Sequence, residues 1–428
     1  MTPTLLLCAW LAGFAPQAVP AAQAPAVSGN TARETIVDVR VHGNHLTPDG
    51  DVIRLSGLTR GAPFTDTTIA DATKLLRQTG MFEDVDVLKR FASIEDLSQV
   101  VVMIVVNEGP VKIEMPDVPD AQPKLVRRGI GSRFMYLPII DAEDGYGWRY
   151  GARVALARPI GRNSRLSFPL TWGGERRAGA ELEHTFSNGR IQFGGALTSR
   201  EHPFYKVRDD RRSAWTRAEA TAGRVHVGVT GGVDHIAFDT TTETVKSLGA
   251  DVVLDTRLDP LLPRNAVYVK GGAERLFAEI RTGTGALYRT KIDASGYLGL
   301  VRQTVLVARV VREDASESMS PYFKSTLGGT ANLRGFHAAE FVGDTLVAGT
   351  LELRAPISSP VSIAKLGLRA FADAGTVYDK GQRYQDQTLR HGYGGGLFLT
   401  APVFHLSLDV AHGKGSGTHV YFGGGFSF

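Results

Sequence analysis

Residues 148–156 read WRYGARVAL, a stretch in which two kinds of side chain alternate along the chain. Trp148, Tyr150 and Val154 belong to an apolar set, whereas Arg149 and Arg153 belong to the opposite set. Successive side chains of a β-strand point to opposite faces, so this segment predicts a strand with one apolar and one polar face. Such a strand suits a position between lipid and a polar lumen.

The same alternation recurs from about residue 132 to the C-terminus, for example over 178–183, 225–230 and 248–255. A soluble β-sandwich also alternates, but there the inner face is the apolar one. Here Arg, Glu and Asp occupy the polar face on strand after strand, which favours a polar lumen. We therefore expect residues 131–428 to form an all-β transmembrane barrel of about sixteen antiparallel strands.

The connections between these segments give the barrel an expected orientation. If the first strand runs outward, the inner turns are short and the outer loops are mostly longer, as in barrels of the bacterial outer membrane. The inner turns are expected at 159–163, 187–189, 222–223, 300–303, 358–360 and 401–402, and the outer loops at 199–213, 239–247, 313–343 and 376–390. An even strand count places both barrel ends on the periplasmic side.

Composition excludes several classes of function. The 428 residues carry a net charge of +4, and the basic residues are spread along the chain, so no nucleic acid is expected as a partner. Cys8 is the single cysteine, which argues against disulfides and thiolate metal sites in the mature chain. Catalytic motifs and histidines at ligand spacing are lacking. We expect no enzyme activity, no cofactor and no metal site.

The segment before the barrel divides into four parts. Residues 1–26 resemble a secretory signal peptide with its cleavage region, because an apolar run over 4–14 is followed by small residues and proline. Residues 27–34 and 113–130 are expected to be linkers. Residues 35–112 predict a small α+β domain of order β-α-α-β-β, in which Thr47 caps the first helix, Thr65 opens the second and Gly80 ends it. Its strands are expected over 36–41, 85–89 and 100–106.

Three phrases of this domain resemble a POTRA domain: VRVHGNHLT at 39–47, TGMFEDVDV at 79–87 and VVNEGP at 105–110. The resemblance implies a single POTRA domain that contacts unfolded or exported client chains, and a periplasmic partner, by adding a strand to a sheet edge. A small α+β domain without a client role is the alternative.

The last residues of the chain resemble the β-signal that ends outer-membrane barrels. The residues that carry this resemblance are Tyr421, Gly423, Phe426 and Phe428. The alternative is an ordinary strand at the end of the sheet.

Three further motifs lie within the predicted barrel. The longest outer loop contains GGTANLRGF at 328–336, and the strands after it contain LELRAP at 351–356 and FADAG at 371–375. Together they closely resemble the BamA/TamA superfamily of outer-membrane assembly and translocation proteins. The resemblance implies a loop tip that meets an inner-wall motif. The residues concerned are Arg334, Gly335, Phe336, Glu352, Phe371, Asp373 and Gly375.

Parity supports this pairing independently of the resemblance. Leu351 and Leu353 fall on the lipid side, so Glu352 points inward, and Asp373 points inward by the same argument. An arginine in a confined lumen needs carboxylate partners, and its fork suits bidentate pairing. We therefore hypothesise that Arg334 pairs with Asp373, with Glu352 as a second candidate, and locks the loop inside the barrel. Unrelated lumen charges are the alternative.

The closing seam is the second predicted site. We expect the first strand, at Phe134, Met135 and Tyr136, to pair with the last strand at Gly423, Gly424 and Gly425. Glycines weaken a strand, and Pro138 removes a donor nearby, so this seam is expected to open laterally. The alternative is that the glycines only ease curvature at the closure.

These patterns lead to one functional expectation with two alternatives. We expect a non-enzymatic factor that inserts, assembles or translocates proteins at the bacterial outer membrane, in contact with membrane lipids and lipopolysaccharide. A translocator dedicated to one exported partner, or a passive pore, would also fit. The single POTRA domain leaves the client open.

Overall fold

The computed structural model describes residues 34–428, apart from 45–46, 66, 83, 109–110, 115–123, 128–133, 144, 162, 279–285, 360–363, 402–403 and 427–428. The expected signal peptide and the linker up to residue 33 lie outside the described residues. No helix in the described part of the chain is long and apolar enough to cross a membrane.

The small domain has the predicted β-α-α-β-β order. Its elements are β1 Thr35–His42, α1 Asp49–Ser56, α2 Thr68–Gln78, β2 Asp84–Phe91 and β3 Gln99–Asn107. The sheet order is β1-β3-β2, with β3 parallel to β1 and antiparallel to β2. Both helices bury one face on this sheet, because Val52 of α1 and Leu76 of α2 pack in one core with Ile36 and Ile104.

Two helix boundaries differ from the prediction. Pro48, rather than Thr47, is the N-cap of α1, and the Thr47 backbone N–H instead donates to Glu108 Oε1 at 2.8 Å. The second helix begins at Thr68 rather than Thr65, whose backbone N–H donates to Thr68 Oγ1. In both places the threonine predicted to start the helix lies before it, and its backbone N–H donates to a side-chain oxygen.

The stretch expected to be a linker contains a hairpin. Val111–Glu114 forms β4 and Lys124–Arg127 forms β5, and the two strands pair antiparallel. The alternation in each segment is too short to predict a strand from the sequence.

The barrel closes with sixteen strands, as predicted. Each strand pairs with its neighbour in the chain, and the last strand pairs with the first. The strands are β6 Phe134–Glu143, β7 Gly147–Ala157, β8 Ser164–Gly173, β9 Glu175–Phe186, β10 Gly189–Glu201, β11 Arg208–Ala222, β12 Val225–Phe238, β13 Thr241–Asp255, β14 Ala266–Ala278, β15 Ala286–Gly299, β16 Val305–Ala315, then β17 Ser325–Leu327 and β18 Phe341–Gly343 within a loop, and β19 Thr345–Ser358, β20 Lys365–Tyr378, β21 Arg390–Ala401, β22 Phe404–Gly413 and β23 Gly417–Phe426.

The two faces of the wall follow the predicted parity. Trp148 and Tyr150 point outward and are 55% and 56% exposed. Charged residues point inward and pair with each other across strands, as Arg217 does with Asp251 and Arg309 with Asp293. Lipid can thus contact an apolar surface while the charges stabilise one another within the lumen.

The outer loops are shorter than expected in two places. The loop expected at 239–247 is a turn of two residues at 239–240, because Phe238 already pairs with Thr241. The loop expected at 199–213 covers only 202–207. These strands continue with polar β-branched residues such as Thr241 and Thr242, whose polarity predicts a loop although their branched side chains suit a strand.

The small domain rests on two inner turns of the barrel. Arg90 Nε lies 2.8 Å from Asp259 Oδ2, and these two side chains are only 5% and 4% exposed. Gln303 Nε2 donates to the backbone carbonyl of Ser93 at 2.7 Å. Burial raises the pKa of Asp259, while Arg90 opposes that change. The turns that hold Asp259 and Gln303 therefore mark the inner end of the barrel.

Candidate functional site

The longest connection of the barrel, residues 316–344, is called the long loop below. It folds back as a hairpin of β17 and β18 and is fixed at its base by Asp344. This fully buried carboxylate accepts the backbone N–H groups of Met319 at 2.8 Å and Lys380 at 2.9 Å. Further out, burial and a hydrogen bond to Glu243 raise the pKa of Tyr322 to about 12, so its hydroxyl remains a donor.

The tip of the long loop lies against the inner wall through Arg334. Its Nε and Nη2 donate to the two carboxylate oxygens of Asp373 at 2.7 and 2.9 Å, and its backbone N–H also donates to Asp373. Its Nη1 donates to Glu352 at 2.7 Å. The guanidinium carbon lies 3.4 Å from the centre of the Phe371 ring. One arginine thus meets two carboxylates and an aromatic face, which is the set of partners that its planar fork suits.

Glycines allow the tip to come this close to the wall. Gly335 has a φ of +92°, and a Cβ there would lie 2.5 Å from the backbone nitrogen of Gly413. On the wall, a Cβ at Gly392 would lie 1.8 Å from the carbonyl oxygen of Arg334. Because backbone atoms cause both clashes, a larger residue at Gly335 or Gly392 would displace the tip.

An apolar cluster anchors the loop beside the ion pairs. Leu327, Leu333 and Phe336 are buried with residues of β16, β19 and β20. Gly375 of β20 belongs to this contact, since a Cβ there would lie 2.8 Å from Leu327 Cδ1. The structure thus brings together all seven residues that the sequence analysis assigned to the loop tip and inner wall.

Two anchors of the loop were not predicted. Arg309 Nη1 donates to the carbonyl oxygen of Ala331 at 2.9 Å. The Tyr421 hydroxyl accepts the backbone N–H of Gly335 at 2.9 Å and donates to the carbonyl of Phe336 at 2.8 Å. Parity places both side chains inward, but parity does not say which part of a loop they will meet. Tyr421 had been assigned only to the C-terminal signal.

The seam differs from the expected register. Among the described residues, β23 and β6 are registered at Gly424 with Ala142, near the outer end of β6. Phe134, Met135 and Tyr136 pair with β7 on their other side, and none of them is registered with β23 in the described part of the chain. The expected pairing of these three residues with Gly423, Gly424 and Gly425 is therefore wrong. The stagger around a closed barrel accumulates over all its strands, so short motifs at the two chain ends cannot determine it.

Side chains add to the sparse pairing at the seam. The rings of Trp148 on β7 and Phe422 on β23 have their centres 5.1 Å apart, on the outward face. Pro138 lies within β6 and is not registered with β23 among the described residues, and proline is tolerated where a strand needs no donor. Among the described residues, an aromatic contact thus accompanies the pairing of Gly424 with Ala142 at the seam.

The C-terminal signal residues occupy β23. Tyr421 points inward, and Gly423 faces Ser407, whose Oγ would lie 2.8 Å from a Cβ at that glycine. The backbone of Phe426 is registered with Phe404 on β22. Phe428 lies outside the described residues.

An outer-membrane barrel with a loop folded into its lumen and a small domain on its inner turns defines a class of proteins. Within that class, this chain belongs to the Omp85 superfamily, because the model of the Omp85 superfamily domain matches residues 144–428. The POTRA model, described as surface antigen variable number repeat, matches residues 34–109. The barrel accordingly lies in the bacterial outer membrane, with the single POTRA domain in the periplasm.

Two solved structures share this fold at low sequence identity. BamA from Haemophilus ducreyi lacking POTRA domains 1-3 is 14% identical with a TM-score of 0.58, and the match covers 92% of this chain and 84% of that one. CdiB from Escherichia coli is 13% identical with a TM-score of 0.52, and the match covers 95% and 93% of the two chains. No curated protein sequence gives a significant match. The likeness to these two structures is therefore one of fold.

Proposed function

We propose that this chain is a non-enzymatic factor that inserts or assembles proteins in the outer membrane, through client binding by the POTRA domain and lateral opening of the barrel seam. The seam carries the proposal. Along β6 every residue from Phe134 to Glu143 is registered with β7, whereas Gly424 with Ala142 is the pair registered with β23 among the described residues. A sparsely paired edge is a template for an incoming strand.

The POTRA domain supplies a second element of this function. Its three-stranded sheet has β1 and β2 at the edges, and an extended client segment can add to such an edge. Because the end of β2 rests on the inner turns through Arg90, a client bound there would arrive next to the barrel.

The occupied lumen weighs against a passive pore. Arg334 holds the tip of the long loop on the inner wall through Asp373 and Glu352, so the loop lies where a solute would pass. A translocator dedicated to one exported partner remains the second candidate. The chain shares its fold with both BamA and CdiB, so the fold does not separate this candidate from the first.

A disulfide across the seam tests the proposal. We expect Ala142→Cys/Gly424→Cys, in a Cys8→Ser background, to stop assembling client proteins when the disulfide forms. Assembly should resume after the disulfide is reduced. The side chain at residue 424 is tolerable because a Cβ there first meets the flexible end of Leu406. Folded outer-membrane proteins would be quantified by proteomics in cells that carry only this variant.

The matched control is Val410→Cys/Val420→Cys, which ties β22 to β23 and leaves the seam free. Undiminished assembly by the oxidised seam variant would refute lateral opening. Loss of a single secreted protein, with all other outer-membrane proteins unchanged, would instead support the dedicated translocator.

A further inference from the structure

The outward face of the barrel has a groove near its outer end, on β8 to β13. It has a volume of about 510 Å³, and its lining includes Trp172, Arg176, Leu197, Arg212 and His235. The groove lies at the ends of the strands opposite the turns that touch the POTRA domain, so it faces the outer leaflet. It is termed the outer groove below.

The outer groove lies directly above an apolar surface. Leu197 and Phe193 point outward on β10 and are 58% and 55% exposed, and Val233 continues this surface on β12. Trp172 is also exposed at this height, and aromatic side chains of this kind mark the membrane interface. The groove is therefore at the level where lipid headgroups meet acyl chains.

The arginines of the groove differ from their sequence neighbours. Inward-facing Arg177 donates to Glu181 at 3.0 Å, and inward-facing Arg211 donates to Asp209 at 2.7 Å. Arg176 and Arg212 point outward, are exposed, and have no carboxylate partner among the described residues. Each of the two strands thus carries two adjacent arginines. The inward one is paired with a carboxylate inside the barrel, and the outward one faces lipid without such a partner among the described residues.

The two unpaired charges converge on one space. Arg176 is registered with Ser199, and Arg212 with Leu197, so their strands flank β10 at a separation of about 10 Å. Both arginines line the same groove. Asp210 stands at the upper edge, where Arg208 lies 3.7 Å from it. An anion between the two arginines would therefore meet two forked donors.

We propose that the outer groove binds a phosphate group of the glycolipid of the outer leaflet, lipopolysaccharide. Arg176 and Arg212 hold the phosphate, and acyl chains lie along Leu197, Phe193 and Val233. Guanidinium groups bind phosphate bidentately, and unpaired cations near a membrane surface attract anionic headgroups. This site is separate from the seam and from the long loop, so it is independent of the proposed function.

The test compares lipid binding by the full chain and by Arg176→Gln/Arg212→Gln in detergent micelles, using native mass spectrometry. The probes are the phosphorylated lipid anchor of lipopolysaccharide, the same lipid without phosphates, and inorganic phosphate as a competitor. We expect the double variant to bind the phosphorylated anchor on the order of tenfold more weakly. The unphosphorylated lipid should bind both proteins equally weakly, and excess inorganic phosphate should not displace the phosphorylated anchor.

Arg383→Gln/Lys414→Gln removes two positive charges from outer loops elsewhere and is the matched control; it should bind as the wild type does. Each protein is first checked for a folded barrel by its heat-dependent electrophoretic mobility, and Arg212→Gln alone replaces the double variant if that one does not fold. Equal binding of phosphorylated and unphosphorylated lipid, unchanged binding by the variant, or displacement by inorganic phosphate would each overturn the proposal.

Discussion

At the scale of single residues, Arg334 concentrates the interactions of the long loop. It is buried with Asp373 and Glu352, and Glu352 is shared with Arg354, whose Nε donates to it at 2.6 Å. Removing one member of a buried ion pair leaves the others without compensation, which typically costs about 3–5 kcal/mol. The arginine therefore matters more to the position of the loop than its single charge suggests.

The corresponding prediction uses Arg334→Ala and Arg334→Lys. The alanine variant should release the tip, so that protease cuts the long loop and the barrel unfolds at lower urea concentration. Lysine retains the charge but not the fork, so it should give a partial effect. Limited proteolysis and urea titration of the purified proteins provide the measurement. Wild-type protease resistance of Arg334→Ala would contradict the role assigned to this residue.

At the scale of elements, the POTRA domain contacts inner turns of the barrel. The described contacts include the buried pair of Arg90 with Asp259, the hydrogen bond of Gln303 to Ser93, and an exposed pair of Arg302 and Glu95, 3.4 Å apart, at the rim. Exposed pairs contribute little, so the buried pair should determine how firmly the domain is held.

We predict that Asp259→Ala loosens the domain without unfolding it. In a Glu95→Cys/Arg302→Cys background, adding Asp259→Ala should lower severalfold the yield of a crosslink made between residues 95 and 302 by a short bifunctional thiol reagent, because Arg90 loses its carboxylate partner. Asp38→Ala serves as the control, since it breaks only partly exposed pairs within the POTRA domain. An unchanged yield would show that other contacts hold the domain.

At the scale of the whole molecule, the barrel is obstructed by its own loop. The tip of the long loop reaches Asp373 of β20 and Tyr421 of β23, on strands that lie apart in the ring. A barrel of sixteen strands generally encloses a space wide enough for water, and the tip of the long loop lies within that space.

We predict a small ion conductance for the wild-type chain in planar bilayers. Replacing residues 328–336 by a Gly-Ser linker should raise it severalfold, because the tip no longer occupies the lumen. The same replacement of residues 379–389, in the other long outer loop, is the control and should have little effect. A large conductance in the wild type would favour the passive pore.

Much of this architecture was predictable because it depends on local pattern. Alternation such as that of Trp148 and Tyr150 with Arg149 gave the strands and their faces, and sixteen repeats gave the barrel. The meeting of Arg334 with Asp373 followed from inward parity and from a family resemblance that linked two distant motifs.

The missed features depend on geometry accumulated over the whole ring. The register of Gly424 with Ala142 reflects the stagger of every strand between them. The hydrogen bonds of Tyr421 to the long loop depend on how deeply that loop enters the lumen. The residues around Tyr421 in the sequence do not predict this depth. β13 begins with several threonines, and their polarity predicts a loop. The strand nevertheless includes them, because it extends past the apolar part of the barrel wall.

The hydrogen bonds of Tyr421 have a further consequence. The same loop that touches this tyrosine of the closing strand also extends to the outer end of the barrel, where Tyr322 bonds Glu243. Coupling between two sites is reciprocal: if displacing the closing strand shifts the cell-surface part of the loop, then a ligand that holds that part must equally oppose the displacement. In that case an antibody that binds the surface segment would change how readily the seam opens.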